Sequence, residues 1–496
     1  MSDDKAKKDP STTSIAYQAM LPSWKKIETV LGGTTAMRAA GEEYLPKHQN
    51  EKSKAYNDRL KTSTLYNLTS LTLESWVGRP FSDPIMPNDD VPELVKDLLE
   101  DIDLQGNSLT TFGRNWFKEG LAKAFCHVMV EMPVVDKDRR TVADDLRENV
   151  RPYWTLIKPE NLIFATGTMV EGQEILTHVR ILEEEIDRDG FAEVVTHRIR
   201  VFDLALVPER EGDESSLVPR VFWSLWRQAK KDKWEPEVVP TMLEIDRIPI
   251  VTFYADRQDL MYGKPPLNDL ADLNISHWQG SSDQRNILTV TRFPLLAGSG
   301  IADEEATVEV GPNRMLSTTN PDGKFYYVEH SGRSIAAGRQ DLLDLEEQMA
   351  SYGAEYLRKR PGNMTATARA LDSAEATSPL QDAAVRFEDA VNQALVITAK
   401  WLKIEDAGTI NVASDFGPED IVQGDLQELG NARRARDLSR EDYLEELKRR
   451  GALRDEFDQE ENDRRLEAEE SAFMGGAAQT GDIDEEAEED MDDEEE

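Results

Sequence analysis

Residues 333–363 read RSIAAGRQDLLDLEEQMASYGAEYLRKRPGN, and this stretch decides how the chain is organised. Leu342, Leu345, Met349, Tyr352 and Tyr356 follow one another at steps of three, four, three and four. With 3.6 residues to each helical turn, that spacing lines five apolar side chains along one narrow stripe. Asp341, Asp344, Glu346, Glu347 and Glu355 fall on the other faces. A stripe this narrow suits packing against one or two neighbouring helices, of the same chain or of another subunit. Arg358-Lys359-Arg360 then run into Pro361-Gly362, which ends the helix in a basic loop.

Working outward, a rather polar helix begins after Pro265-Pro266 and carries Leu267, Leu270, Asn274 and Trp278 toward Val290. Between the two helices lies a non-helical insert with TVEV, a PDG turn at Pro321 to Gly323, and the strand-like KFYYVEH. Beyond the basic loop, Leu380, Phe387, Val391, Leu395 and Leu402 keep a helical period. Ser378-Pro379 inside that stretch either kinks one helix or caps the start of a second. Upstream, YWTLI, NLIFA, ILTHVRIL, VVTHRIRVFDLAL, PRVFWSLWRQ and PIVTFY predict a mainly antiparallel sheet region between Arg151 and Tyr254. Before it, NSLTTFGRNWFKEGLAKAF is a helix capped by Asn107 or Ser108 that runs into a strand at CHVMVEMP. Between Ala55 and Val77, apolar residues from Leu60 to Trp76 predict one further helix, stopped by Gly78 and Pro80. The first forty residues, rich in small and polar side chains, are expected to be a loosely held arm. SREDYLEELKRRGAL near the other end has a capping box at Ser439 and Asp442. Together these elements make an α+β protein.

The 496 residues include 97 Asp and Glu against 58 Lys and Arg, a formal charge of −39. A surface that grips nucleic acid needs clustered cations, so tight static DNA binding is disfavoured. Twelve of the fifteen residues from Asp482 to Glu496 are acidic, a run that repels itself and does not fold alone; the rest of the chain still carries −27. The single cysteine, Cys126, excludes an intrachain disulfide and a Cys-based zinc site and points to a reducing compartment. No apolar signal core or membrane-length apolar run is present, so no membrane is expected as a partner. Gly263-Lys264 precedes Pro265 and Gly323-Lys324 precedes Phe325, so neither makes a phosphate-binding loop. The six histidines lack metal-ligand spacing, and no G-x-S-x-G elbow occurs. The chain therefore reads as a structural or interaction protein, not an enzyme, with no cofactor and no metal.

The order of elements resembles that of the portal proteins of tailed bacteriophages, and the resemblance runs from about residue 42 to 465. It is carried by YLPKH (44–48), IDLQGNSL (102–109), TATAR to FEDAVNQAL (365–395) and SRE to ELKRRG (439–451). The resemblance implies a homo-oligomeric ring, usually a dodecamer, at one capsid vertex of the virion, made in the host cytoplasm. Double-stranded DNA would pass through its channel during packaging and ejection. Its implied partners are the terminase large subunit, capsid and scaffold proteins, and head-tail connector or adaptor proteins. On the family plan, residues 1–41 are a flexible N-terminal arm, 42–265 the wing, 266–292 the first stem helix and 293–331 the clip. Residues 332–357 are then the second stem helix, 358–366 the tunnel loop, 367–416 the long wing helix and strand, 417–470 the crown and 471–496 a disordered acidic tail. Arg358, Lys359, Arg360 and Asn363 would face the DNA channel, and the stripe from Leu342 to Tyr356 would pack the stem. The competing reading is an acidic DNA mimic or chaperone-like binding protein, which would be a monomer or dimer.

Overall fold

The computed structural model describes residues 9–133, 144, 147–170, 172–209, 217–230, 233–292, 295–299, 321–328, 332–352, 366–414, 423–449, 452, 453, 457, 459 and 461–466. Two compact units result, Met1–Asn363 with Ala374–Phe416, and Met364–Ser373 with Gly417–Glu496.

The first unit opens with helix, where the sequence suggests a loose arm. Ser14 accepts from Tyr17 N and caps α1 (Ile15–Leu31), which buries Met20, Trp24, Ile27 and Val30. These positions recur every three or four residues, so one face of the helix is apolar despite its small and polar neighbours. α2 (Gly33–Ala40), α3 (Ser53–Thr62) and α4 (Leu68–Gly78) follow. The single helix expected up to Trp76 is thus two, since Ser63 is extended and Asn67 starts a new cap with Ser70. After the short β1 (Met86–Pro87) and α5 (Glu93–Leu99), Ser108 caps α6 (Leu109–Lys123). Ala124, in the left-handed region at φ 76°, turns the chain directly into β2 (Phe125–Glu131).

β3 (Tyr153–Ile157) and β9 (Ile250–Tyr254) flank β2 in an antiparallel three-stranded sheet. Between them runs an antiparallel meander of β4 (Leu162–Val170), β5 (Gln173–Asp189), β6 (Ala192–Pro208), β7 (Leu217–Lys230) and β8 (Lys233–Leu243). Arg200 of β6 ties the two sheets by pairing with Glu183 on β5 and Glu131 on β2. α7 (Asn268–Thr291), β10 (Leu295–Ser299), β11 (Lys324–Val328) and α8 (Arg333–Ser351) come next. α9 (Ala366–Leu402) is one helix through Pro379, which settles the two alternatives at Ser378-Pro379. β12 (Ile410–Asn411) returns to pair with β1.

The core of this unit gathers around Phe387 of α9, whose ring lies 5.1–5.9 Å from those of Phe81, Trp116, Phe117 and Phe253. Leu380, Ala383, Ala384, Val391, Ala394 and Leu395 continue the buried face of the same helix. Small residues there let α9 approach closely. Gly120 serves the same end on α6, since a Cβ there would stand 2.4 Å from the Phe253 ring. Four indole N–H groups find acceptors: Trp24 to Lys123 O, Trp116 to Cys126 O, Trp154 to Thr398 Oγ1 and Trp401 to Val130 O, at 2.9–3.0 Å. Cys126 is fully buried, and burial pushes its thiol well above the ordinary value.

In the second unit, α10 (Gln423–Ala435) is followed by α11 (Arg440–Arg449). Half of the expected capping box is present: Ser439 Oγ accepts from Asp442 N at 3.0 Å, while the Asp442 carboxylate accepts from the Ser439 hydroxyl at 2.6 Å. The acidic run 482–496 lies outside the described residues.

Because Phe387 fills the centre of four aromatic contacts, Phe387→Ala should cost about 3–5 kcal/mol, read as a lowered urea midpoint. Phe387→Leu should recover more than half of that loss.

Candidate functional site

The chemistry-bearing elements converge on α7 and α8, the helices that bracket the insert. α7 is built in two halves. Its first half enters the core through Leu270, Ala271 and Trp278, while its residues from Arg285 to Ile287 are exposed. The buried half also carries polar side chains with dedicated partners. Asn274 Oδ1 accepts from Thr69 N and Oγ1 at 3.1 and 3.0 Å, and its Nδ2 donates to Tyr66 O at 2.8 Å. One amide therefore closes the start of α4 against α7. Ser63 Oγ donates to Ser282 Oγ at 2.8 Å, and Arg285 Nη1 to Thr62 O at 2.9 Å, extending the same seam.

Arg59 is the strongest member of this seam. Its Nε and Nη2 fork onto Glu51 at 2.9 and 2.8 Å, Nη2 also donates to Pro46 O at 2.9 Å, and Nη1 lies 3.5 Å from Asp283 of α7. The Arg59 and Glu51 side chains are 2% and 9% exposed, so little water competes with the pair. His48 Nε2 adds a contact to Asp283 at 3.0 Å. The Arg59 guanidinium holds the Glu51 carboxyl down to about 2.

α8 lies antiparallel to α7. His277 Nε2 meets Glu346 Oε1 at 3.2 Å, Leu342 packs over Gly280, and Gln284 Nε2 donates to Ile335 O at 2.8 Å. The helices approach at glycines: a Cβ at Gly338 would stand 2.4 Å from Gln284 Oε1, and one at Gly280 3.3 Å from Leu342 Cδ2. At the far end β10 and β11 pair antiparallel, Leu295 with Val328 through Ser299 with Lys324. The two helices carry seven acidic residues against three arginines.

Of the stripe expected to pack the stem, Leu342 and Leu345 are half-buried, Met349 is fully buried in the core and Tyr352 is exposed. Tyr356 lies outside the described residues, as do Arg358, Lys359, Arg360 and Asn363 of the basic loop and the TVEV segment. Leu342 therefore packs on α7 and Met349 in the core. The Glu51–Arg59–Asp283 group escapes a reading by periodicity, since Arg59 and Asp283 are 224 residues apart. A polar Asn274 in an apolar helical register is the one sign of this seam visible in sequence. Among the described residues no group of three or more His, Cys, Asp or Glu is placed to hold a metal, and no helix is long and apolar enough to cross a membrane.

A family model described as "Domain of unknown function (DUF4055)" matches residues 266–402, the span from α7 through α9. No curated protein matches the chain. Among solved structures, the neck of an empty GTA particle computed with C6 symmetry and the neck of a native GTA particle computed with C12 symmetry are each 12% identical, with a TM-score of 0.43. They cover 82% of this chain and 96% and 97% of their own. The virion of a native gene transfer agent (GTA) particle gives a TM-score of 0.38 at 12% identity, over 82% of this chain and 94% of its own.

The Glu51 carboxyl sits below its unfolded value of about 4.3, so the stability it supplies is complete above that pH. It is lost as pH falls from there toward 2. Glu51→Gln should lower the melting temperature at pH 7, leaving Arg59 partly unpaired at a cost of about 3 kcal/mol, and should flatten the melting curve's dependence on pH below 4.

Proposed function

We propose that the chain is a portal-like subunit of a phage-type particle, a head-tail structural protein that assembles into a homo-oligomeric ring around passing double-stranded DNA. The observation that carries this reading is the run from α7 to α9. A helix leaves the core, two strands pair antiparallel, a second helix returns antiparallel on the first, and a 37-residue helix follows. That succession stands in the same order as the stem, clip, stem and long wing helix of the portal plan. The whole resemblance in sequence, YLPKH to ELKRRG, lies around it.

The charge fits the proposed task. A polyanion slides past walls that do not hold it, because each cation set against a phosphate adds an attraction to be broken at every step. The acidic α7–α8 pair would repel DNA and keep it centred. Arg358, Lys359 and Arg360 would be the transient phosphate contacts. In this reading the terminase large subunit and later the head-tail connector proteins dock at the β10–β11 end, with capsid and scaffold proteins around the ring at one capsid vertex. No catalysis is assigned to the chain itself. Any ATP hydrolysis belongs to the motor.

Mass photometry or negative-stain imaging of the purified chain should show closed rings many times heavier than one 56.0 kDa subunit. Monomers or dimers under several salt and protein concentrations would instead favour the acidic DNA-mimic reading. Changing Arg358, Lys359 and Arg360 together to Ala should leave assembly intact and alter DNA packaging or retention in a reconstituted assay. Unchanged packaging would remove the loop from the DNA path.

A further inference from the structure

The turn between α10 and α11 carries Arg433, Arg434, Arg436 and Arg440, four arginines within eight residues of a chain whose net charge is −39. Arg433 and Arg434 stand in the last turn of α10. Arg436 follows the helix in the left-handed region at φ 67°. Its N–H donates to Arg433 O at 3.2 Å and the next, of Asp437, to Ala432 O at 3.0 Å, which closes the helix in a Schellman motif. Glycine is the cheaper residue at that position, so what Arg436 contributes is its side chain.

Among the described residues these guanidinium groups are under-used. Arg433 Nη1 donates to Leu438 O at 3.4 Å and Arg434 Nε to Gly430 O at 3.2 Å, one of five donors in each case. No described carboxylate pairs with Arg433, Arg434 or Arg436, and Arg434 and Arg436 are exposed. Exposed cations on other helices do have such partners: Lys118 has Glu74, Arg386 has Asp382 and Arg465 has Glu461. Of the acidic residues at the turn itself, Asp442 is engaged by Ser439, while Asp437 and Glu441 pair with none of the three arginines. Only Arg440 is matched, by Asp463 at 2.5 Å.

That one pair shows where the chain goes next. Asp463 brings residues 461–466 beside the turn, and sixteen residues separate Leu466 from Asp482, where the run of twelve carboxylates begins. Sixteen residues can span up to about 54 Å, ample to return to a turn already touched at Asp463. We infer that the acidic run Asp482–Glu496 docks on Arg433, Arg434 and Arg436 of its own chain and keeps this turn closed to other polyanions, double-stranded DNA among them. Exposed arginine–carboxylate pairs are weak singly. Here the acceptors are numerous and the contact is intramolecular, so no single pair has to hold it. The docking needs no ring and stands apart from the assembly proposed above.

The test uses the full chain with Ala435→Cys at the turn and Met491→Cys in the acidic run; Cys126 is buried and does not compete. Mild oxidation at low salt should close an intrachain disulfide, seen as a reducible mobility shift at the mass of one chain. Changing Arg433, Arg434 and Arg436 together to Gln should slow closure about tenfold without lowering the melting temperature, and high salt should slow it likewise. Closure unaffected by the arginine changes would overturn the docking, because the thiols would then meet through the tether alone. Disulfides between chains in place of the intrachain one would also overturn it. Occlusion is read by anisotropy of a labelled DNA duplex: neutralising the twelve acidic residues of 482–496 to Asn and Gln in the full chain should tighten binding about tenfold, and the gain should vanish when the three arginines are Gln. A gain that survives the arginine changes would mean general repulsion by the tail and would overturn the occlusion.

Discussion

The fold of the larger unit depends on one aromatic side chain in a long helix. Phe387 meets Phe81, Trp116, Phe117 and Phe253 at once, and these come from a loop, a helix and a strand far apart in the chain. Each edge-to-face pair adds a modest orientational preference to the area buried, and four around one ring leave little freedom in its position. The consequence is that α6, the three-stranded sheet and α9 are located together. Tryptophan N–H groups then fix these elements to backbone and hydroxyl acceptors, so the large rings are buried without stranding most of their donors.

The helix pair α7–α8 inherits its rigidity from that core. Asn274, Ser282 and Asp283 tie α7 to α3 and α4, and His277 with Gln284 ties α8 to α7. A polar seam of this kind sets register more sharply than apolar contact does, because a slip of one residue would leave several buried groups unpaired. The exposed faces are then free to be acidic without loss of order. That division, polar bonds inside and negative charge outside, is what a wall beside moving DNA would need in the proposed ring.

Much of the local structure was legible in the sequence. The Ser108 cap, the helix running into FCHVMVE, the strands from Tyr153 to Tyr254, the helices on either side of the insert and the Ser439 cap all follow from short-range patterns of period two or 3.6 and from side chains able to cap. The arm is the correction of most consequence. Ser, Thr and Gly dilute the composition of residues 1–41, yet Met20, Trp24, Ile27 and Val30 recur on one face and are buried. Average composition hides a stripe that spacing reveals.

Sequence by itself determined the element types, the narrow stripe on α8, the missing catalytic and metal motifs and the distribution of charge, because each of these is local or additive along the chain. Only the tertiary structure decided what those elements meet. It gave Leu342 to α7 and Met349 to the core, and it drew Glu51, Arg59 and Asp283 into one group. It also left Phe191, between β5 and β6, fully exposed. Helical periodicity records that a face is apolar and is silent on its partner; pairing across hundreds of residues is set by packing of the whole core, which no window of sequence contains.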